Sequence, residues 1–158
     1  MSSRAFYAAQ QGHIVPVIYP ANITGGGTGV AFSMKTYAHA SIVIVLGAQA
    51  AAETKILVNA CTAQNGTGAT AIPYDLYTCE TTATDVLSAR TPQLAAGYTP
   101  SGTASIMYVI ELDAAQLPQG SPYVQLQITN GANADFCSAI AILSDARYAS
   151  DQSATVLA

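Results

Sequence analysis

Residues 39–47 read His-Ala-Ser-Ile-Val-Ile-Val-Leu-Gly, with five aliphatic side chains in a row, Ile42 to Leu46, closed by Gly47. A short run rich in β-branched residues and stopped by glycine predicts a strand rather than a helix. Ile42, Ile44 and Leu46 fall on one face and Val43 and Val45 on the other. A strand that is apolar on both faces calls for cover on both. Residues 136–143 repeat the pattern, with Phe136, Ile140 and Ile142 set against Cys137, Ala139, Ala141 and Leu143.

Four other segments alternate cleanly, as half-buried strands do. In residues 123–130, Val124, Leu126 and Ile128 point in and Tyr123, Gln125, Gln127 and Thr129 out. In 103–112, Ile106, Tyr108, Ile110 and Leu112 share one face. In 54–63 the inward set is Ile56, Val58 and Ala60. In 30–35 it is Val30, Phe32 and Met34. Residues 14–19 contain Pro16 and are closed by Pro20, which predicts an edge strand, because proline donates nothing to a ladder. Residues 71–80, with Pro73, predict one bent strand, and 81–90 a weak strand around Val86 and Leu87. Turn chemistry separates them: Gly25-Gly26-Gly27-Thr28-Gly29, Asn65-Gly66, Pro118 to Gly120, and Asn130-Gly131. Ala114-Ala115-Gln116-Leu117 is short enough for a single helical turn.

Eight or nine short strands without a sustained 3.6-residue period predict an all-β chain, and connections of 6–12 residues favour a jelly-roll-like β-sandwich of about eight strands. Residues 1–13 and 149–158 lack apolar periodicity, so the expected organisation is a flexible N-terminal arm (1–13), a sandwich domain (14–148) and a flexible C-terminal tail (149–158).

Composition changes the picture in one respect. Of 158 residues, 51% are hydrophobic and 9% charged, against about 25% charged in an ordinary chain. Much of the surface is therefore neutral, and surfaces of that kind associate. The five cations, Arg4, Lys35, Lys55, Arg90 and Arg147, are scattered in a chain of net charge −4. They cannot neutralise a row of phosphates, which argues against a nucleic-acid partner. No apolar run is long enough for a membrane helix, and the N-terminus has no secretory h-region, so neither a membrane partner nor secretion is expected.

Candidate chemistry is sparse. Cys61, Cys79 and Cys137 are widely spaced and form no metal pattern; they are expected as reduced, buried residues. The glycine-rich segment lacks a following Gly-Lys-Ser/Thr and a helix pattern, so it is no phosphate loop. Glu111 and Asp113, the closest carboxylates, share a strand face at a strand end, the usual place for solvated acids. Nothing ties His13 or His39 to a cysteine. No catalytic, cofactor-binding or metal-binding residue is singled out, and no enzymatic activity or cofactor is expected. Nine tyrosines without a tryptophan suit either interfaces or strand packing.

The order of segments nonetheless resembles one family. Met34-Lys35-Thr36-Tyr37-Ala38-His39 leads into residues 41–47 and then Thr54-Lys55-Ile56-Leu57-Val58-Asn59-Ala60. Later come Tyr108-Val109-Ile110-Glu111-Leu112-Asp113, Tyr123-Val124-Gln125-Leu126-Gln127-Ile128 and Ile140-Ala141-Ile142-Leu143-Ser144-Asp145-Ala146-Arg147-Tyr148. Over residues 14–148 this is similar to the head-decoration, or cement, proteins of tailed bacteriophages. The resemblance implies a jelly-roll-like domain without catalytic chemistry, made in the bacterial host cytoplasm and bound to the capsid surface of the virion. There it stabilises the shell by bridging neighbouring subunits. Its implied partners are the major capsid protein and itself, as a homodimer or homotrimer. The alternative is a phage head- or tail-associated β-sandwich module that binds a receptor or carbohydrate. Residues 39–47 and 136–143 are expected in the sandwich interior, with the second face of at least one of them covered by a neighbouring subunit.

Overall fold

Alternation at a period of two sets the strands of this computed structural model, which describes residues 8–48, 55–100, 106–129, 135–147 and Thr155. A helical turn, α1 (Ala8–Gln11), precedes β1 (His13–Asn22). The chain continues through β2 (Gly27–Thr28), β3 (Phe32–Ser33), β4 (Tyr37–Leu46), β5 (Lys55–Cys61), β6 (Thr70–Ala71), β7 (Tyr74–Cys79), β8 (Thr91–Gln93) and β9 (Ile106–Asp113). After a 3-10 turn (Ala114–Gln116) come β10 (Tyr123–Thr129) and β11 (Phe136–Ala146).

The strands make two antiparallel sheets. One runs β1-β11-β4-β9-β7-β8; the other runs β2-β10-β5-β6, with β3 also on β10. The pairings nest: β1 with β11, β2 and β3 with β10, β4 with β9, β5 with β6. First pairs with last and each later pair lies inside the one before. A long hairpin rolled onto itself has this order, and the result is a jelly roll. The core is one cluster in which Ile42, Ile44, Leu46, Ile110, Leu112, Ala139, Ala141 and Leu143 of the first sheet join Ile56, Val58, Val124, Leu126 and Ile128 of the second.

Several expectations need correction. Residues 30–35 form a strand only at Phe32–Ser33, and Val30 is exposed while Ala31 is buried. The backbone there is shared among three separate partners: Val30 N–H donates to Val17 O, Ser33 N–H to Thr155 O and Met34 N–H to Pro122 O. Residues 71–80 are two strands, β6 and β7, that belong to different sheets; the chain changes sheet at Ile72-Pro73. Residues 81–90 hold no strand. The Thr81 and Thr84 hydroxyls accept from the backbone N–H groups of Ala83 and Val86, local bonding that competes with a ladder. Conversely, β8 lies within residues 91–102, which Pro92, Gly97, Pro100 and Gly102 predict as a long loop.

The domain also begins earlier than residue 14, since His13 is in β1 and α1 precedes it. Most of both expected arms lies outside the described residues, as do residues 49–54 and 130–134. The one described residue of the tail, Thr155, is buried, and its carbonyl accepts from Ser33 N–H (3.1 Å) and Gln64 Nε2 (2.6 Å).

Candidate interaction surface

Register turns the six-stranded sheet into a broad apolar face. Its inner side chains are buried by the second sheet. On the outer side Pro16, Ile140, Val43, Val109 and Tyr77 lie side by side across β1, β11, β4, β9 and β7. Ser138, Val45, Met107 and Cys79 form the next row, and Ile14, Ile142, Ser41, Glu111 and Asp75 the row on the other side. Val45 is 48% exposed, Ile140 42% and Ile14 45%. Val43, Val109, Met107 and Tyr77, in the middle of this face, are half-buried. Two shallow apolar hollows flank Val45, each of about 240–250 Å³. One is lined by Pro20, Ala21 and Phe136, the other by Cys79, Ile106 and Met107 with Thr81, Thr84 and Asp85 at its rim. Phe136, 64% exposed, stands at the rim of the first.

A polar cluster closes one end of the face. His39 lies directly across the ladder from Asp113 and diagonally from Glu111. Its Nδ1 is 2.7 Å from Asp113 Oδ1 and its Nε2 is 2.7 Å from Glu111 Oε2. A neutral imidazole has one N–H; two carboxylate contacts require the doubly protonated ring. Partial burial of the ring opposes its charge, but hydrogen bonds to Asp113 and Glu111, with their negative charges, outweigh it and raise its pKa above the usual 6.5. Ser41 Oγ donates to Glu111 Oε2 at 2.6 Å and is 3.5 Å from His39 Nε2. With that nitrogen already held by Glu111, Ser41 has no free base beside it. Two carboxylates against one imidazolium leave the cluster with one net negative charge. Asp75, on the same row, is paired with Arg90 at 3.1 Å.

The outer side of the five-stranded sheet is different in kind. Tyr123, Gln125, Gln127 and Thr129 of β10 lie beside Cys61, Asn59, Leu57 and Lys55 of β5. Asn59 Nδ2 donates to Gln127 Oε1 (3.1 Å), and Lys35 Nζ donates to Tyr123 OH (3.1 Å) while sitting 4.9 Å above its ring. This face is polar and amide-rich, with Asn59 and Cys61 buried on it; the other is apolar.

The tyrosines sort themselves by depth. Tyr37, Tyr74 and Tyr108 are core residues. The hydroxyls of Tyr98 and Tyr108 both donate to Glu80 Oε1, at 2.8 and 2.7 Å. Burial, then the carboxylate that accepts the proton, pushes Tyr98 up to about 12 and raises Tyr108 as well. Three of the seven described tyrosines are thus core residues of strands, while Tyr19 is exposed. All three cysteines are free and buried; burial, helped by the charge of Asp135, pushes Cys137 up to about 12.

Glu111 and Asp113 share a face at a strand end, as the alternation implied, but they are bridged by His39 rather than simply solvated. The alternation of residues 37–46 puts His39 on the outer face; only the β4–β9 register, which one sequence does not give, puts it between the two acids. Among the described residues no group of three His, Cys, Asp or Glu side chains is disposed to hold a metal ion, and no helix is long and apolar enough to cross a membrane. Compared with protein-family models and with curated proteins, the chain matches none.

Proposed function

We propose that this chain is a structural virion protein that self-associates and binds the outside of a phage capsid, where it bridges neighbouring major capsid subunits. The observation that carries the reading is the apolar outer face of the six-stranded sheet, whose charged groups lie at its end and rim rather than in its middle. Such a face acts by burying area rather than by chemistry. Contacts repeated over a lattice multiply modest single-site affinity. The amide-rich part of the second face loses little on desolvation when its hydrogen bonds are re-formed with a neighbour. The resemblance in segment order to phage cement proteins supports the same reading.

The test is the composition of phage particles released from cells that encode the chain. Quantitative mass spectrometry should find the chain in purified particles at a copy number comparable with that of the major capsid protein. Its absence from particles overturns the proposal, and a few copies per particle would point instead to a receptor-binding accessory.

A further inference from the structure

We propose that the outer face of the six-stranded sheet is a twofold interface with a second copy of this chain, the sheets packing face to face across it. The inference deepens the self-association in the reading above and leaves the polar face of the five-stranded sheet for other partners.

Three observations select this occupant. First, the sheet is blocked at both edges against growth by strand addition. β1 carries Pro16 and Pro20, and β8 carries Pro92; proline at an edge removes the donors a new strand needs. Association through this sheet must therefore use its face.

Second, the charges suit self-pairing. Any partner related by a twofold axis presents the same groups to the face. An unpaired carboxylate there would meet like charge. Instead, the charges lie away from its middle: Glu111 and Asp113 share His39 at one end, Asp75 is held by Arg90, Asp85 stands at the rim beyond Met107, and the rows between Ile140 and Tyr77 and between Ser138 and Cys79 carry no charge. The middle of the face gives a charged partner nothing to read, and gives its own copy nothing to repel.

Third, the area suffices. Five strands about 4.8 Å apart and eight residues at about 3.3 Å each make a flat face of roughly 600 Å², before side-chain relief is added. A standard interface buries about 600–1,000 Å² on each partner. Two sheet faces pack about 10 Å apart with their strands turned by about 30°, which suits the short side chains of Val43, Val45, Val109 and Ile140.

The experiment is light scattering on the full chain after size exclusion, over a concentration series up to about 100 µM, above the micromolar Kd expected of a small interface. The expected mass is twice the 16.2 kDa of the chain. Val45→Lys and Ile140→Lys replace side chains already half exposed, and each should shift the species to monomer with an unchanged far-UV spectrum. Thr28→Lys, exposed on the other sheet, should leave the dimer intact. A wild-type monomer throughout, a trimer, or a dimer that persists in both lysine variants overturns the inference. If one variant fails to fold, the other decides. A dimer that never enters phage particles would overturn the capsid reading while this inference stands.

Discussion

The imidazole of His39 lies 2.7 Å from the carboxylate of Glu111, across the ladder from β4 to β9, while its other nitrogen is equally close to Asp113. Both contacts are favourable only for the charged ring. Its folded pKa therefore lies above its unfolded value, and the stability it contributes is fully present below about pH 6.5. That contribution is lost as pH rises through the folded pKa. Thermal melts of the wild type and His39→Gln across pH 5.5–9 should show the wild type ahead by about 1 kcal/mol or less at the acid end. The gap should close toward alkaline pH. A gap that is constant with pH would mean that the ring contributes packing and not charge.

Glu80 gathers two tyrosine hydroxyls where β7 ends, and those bonds tie β9 and the segment bearing Tyr98 to one carboxylate oxygen. Tyr108→Phe removes a donor to a charged acceptor and should cost about 1.5–3 kcal/mol in denaturant unfolding. Tyr98→Phe, at a less buried site, should cost less. In the double variant the costs should not add, because both hydroxyls serve one oxygen. Strict additivity would show that the two bonds act independently.

The limits of sequence reading follow from the physics of each element. Val124, Leu126 and Ile128 announce their inward face because nothing interrupts the alternation of β10. The nested order of the sheets follows from many short strands with intermediate connections. Residues 71–80 mislead because Pro73 marks a bend without saying that the strand changes sheet. Val86 and Leu87 mislead because two apolar side chains outweigh the threonine hydroxyls that fold the segment locally. The His39 cluster needs cross-strand register, which a single chain carries only implicitly. The doubly apolar pattern of β4 and β11 was legible in full, and the structure places these strands side by side with Val45, Phe136 and Ile140 exposed on their outer faces.

Two glycines with the same backbone sign separate strain from crowding. Gly97 has φ +79, and a Cβ there would stand 2.5 Å from Ile56 O, beside the bridge between Ile56 and Tyr98. Gly120 has φ +84 and open space around it. Gly120→Ala should cost only the left-handed penalty, about 1–2 kcal/mol. Gly97→Ala bears that penalty and must also displace backbone, so its loss should exceed that of Gly120→Ala in matched urea titrations. Equal losses would mean that the segment bearing Tyr98 yields freely.

Adjacent residues of β4 give the sharpest separation of folding from association. Ile44 is fully buried between the sheets, while Val45, one step along, is 48% exposed on the outer face. Ile44→Ala leaves a cavity in the core and should cost about 2–5 kcal/mol of stability. Val45→Ala removes little buried area and should cost less than about 1 kcal/mol in the isolated chain. If the outer face is an interface, the order reverses for association: Val45→Ala weakens self-assembly more than it weakens the fold. Val43→Asp, between Val109 and Ile140, should do so more strongly, since it sets an unpaired charge at the centre of the face. Urea midpoints at low protein concentration measure the first effect. The concentration dependence of the scattering mass measures the second. A folded Val43→Asp variant that assembles like the wild type would place the interface on another surface of the sandwich.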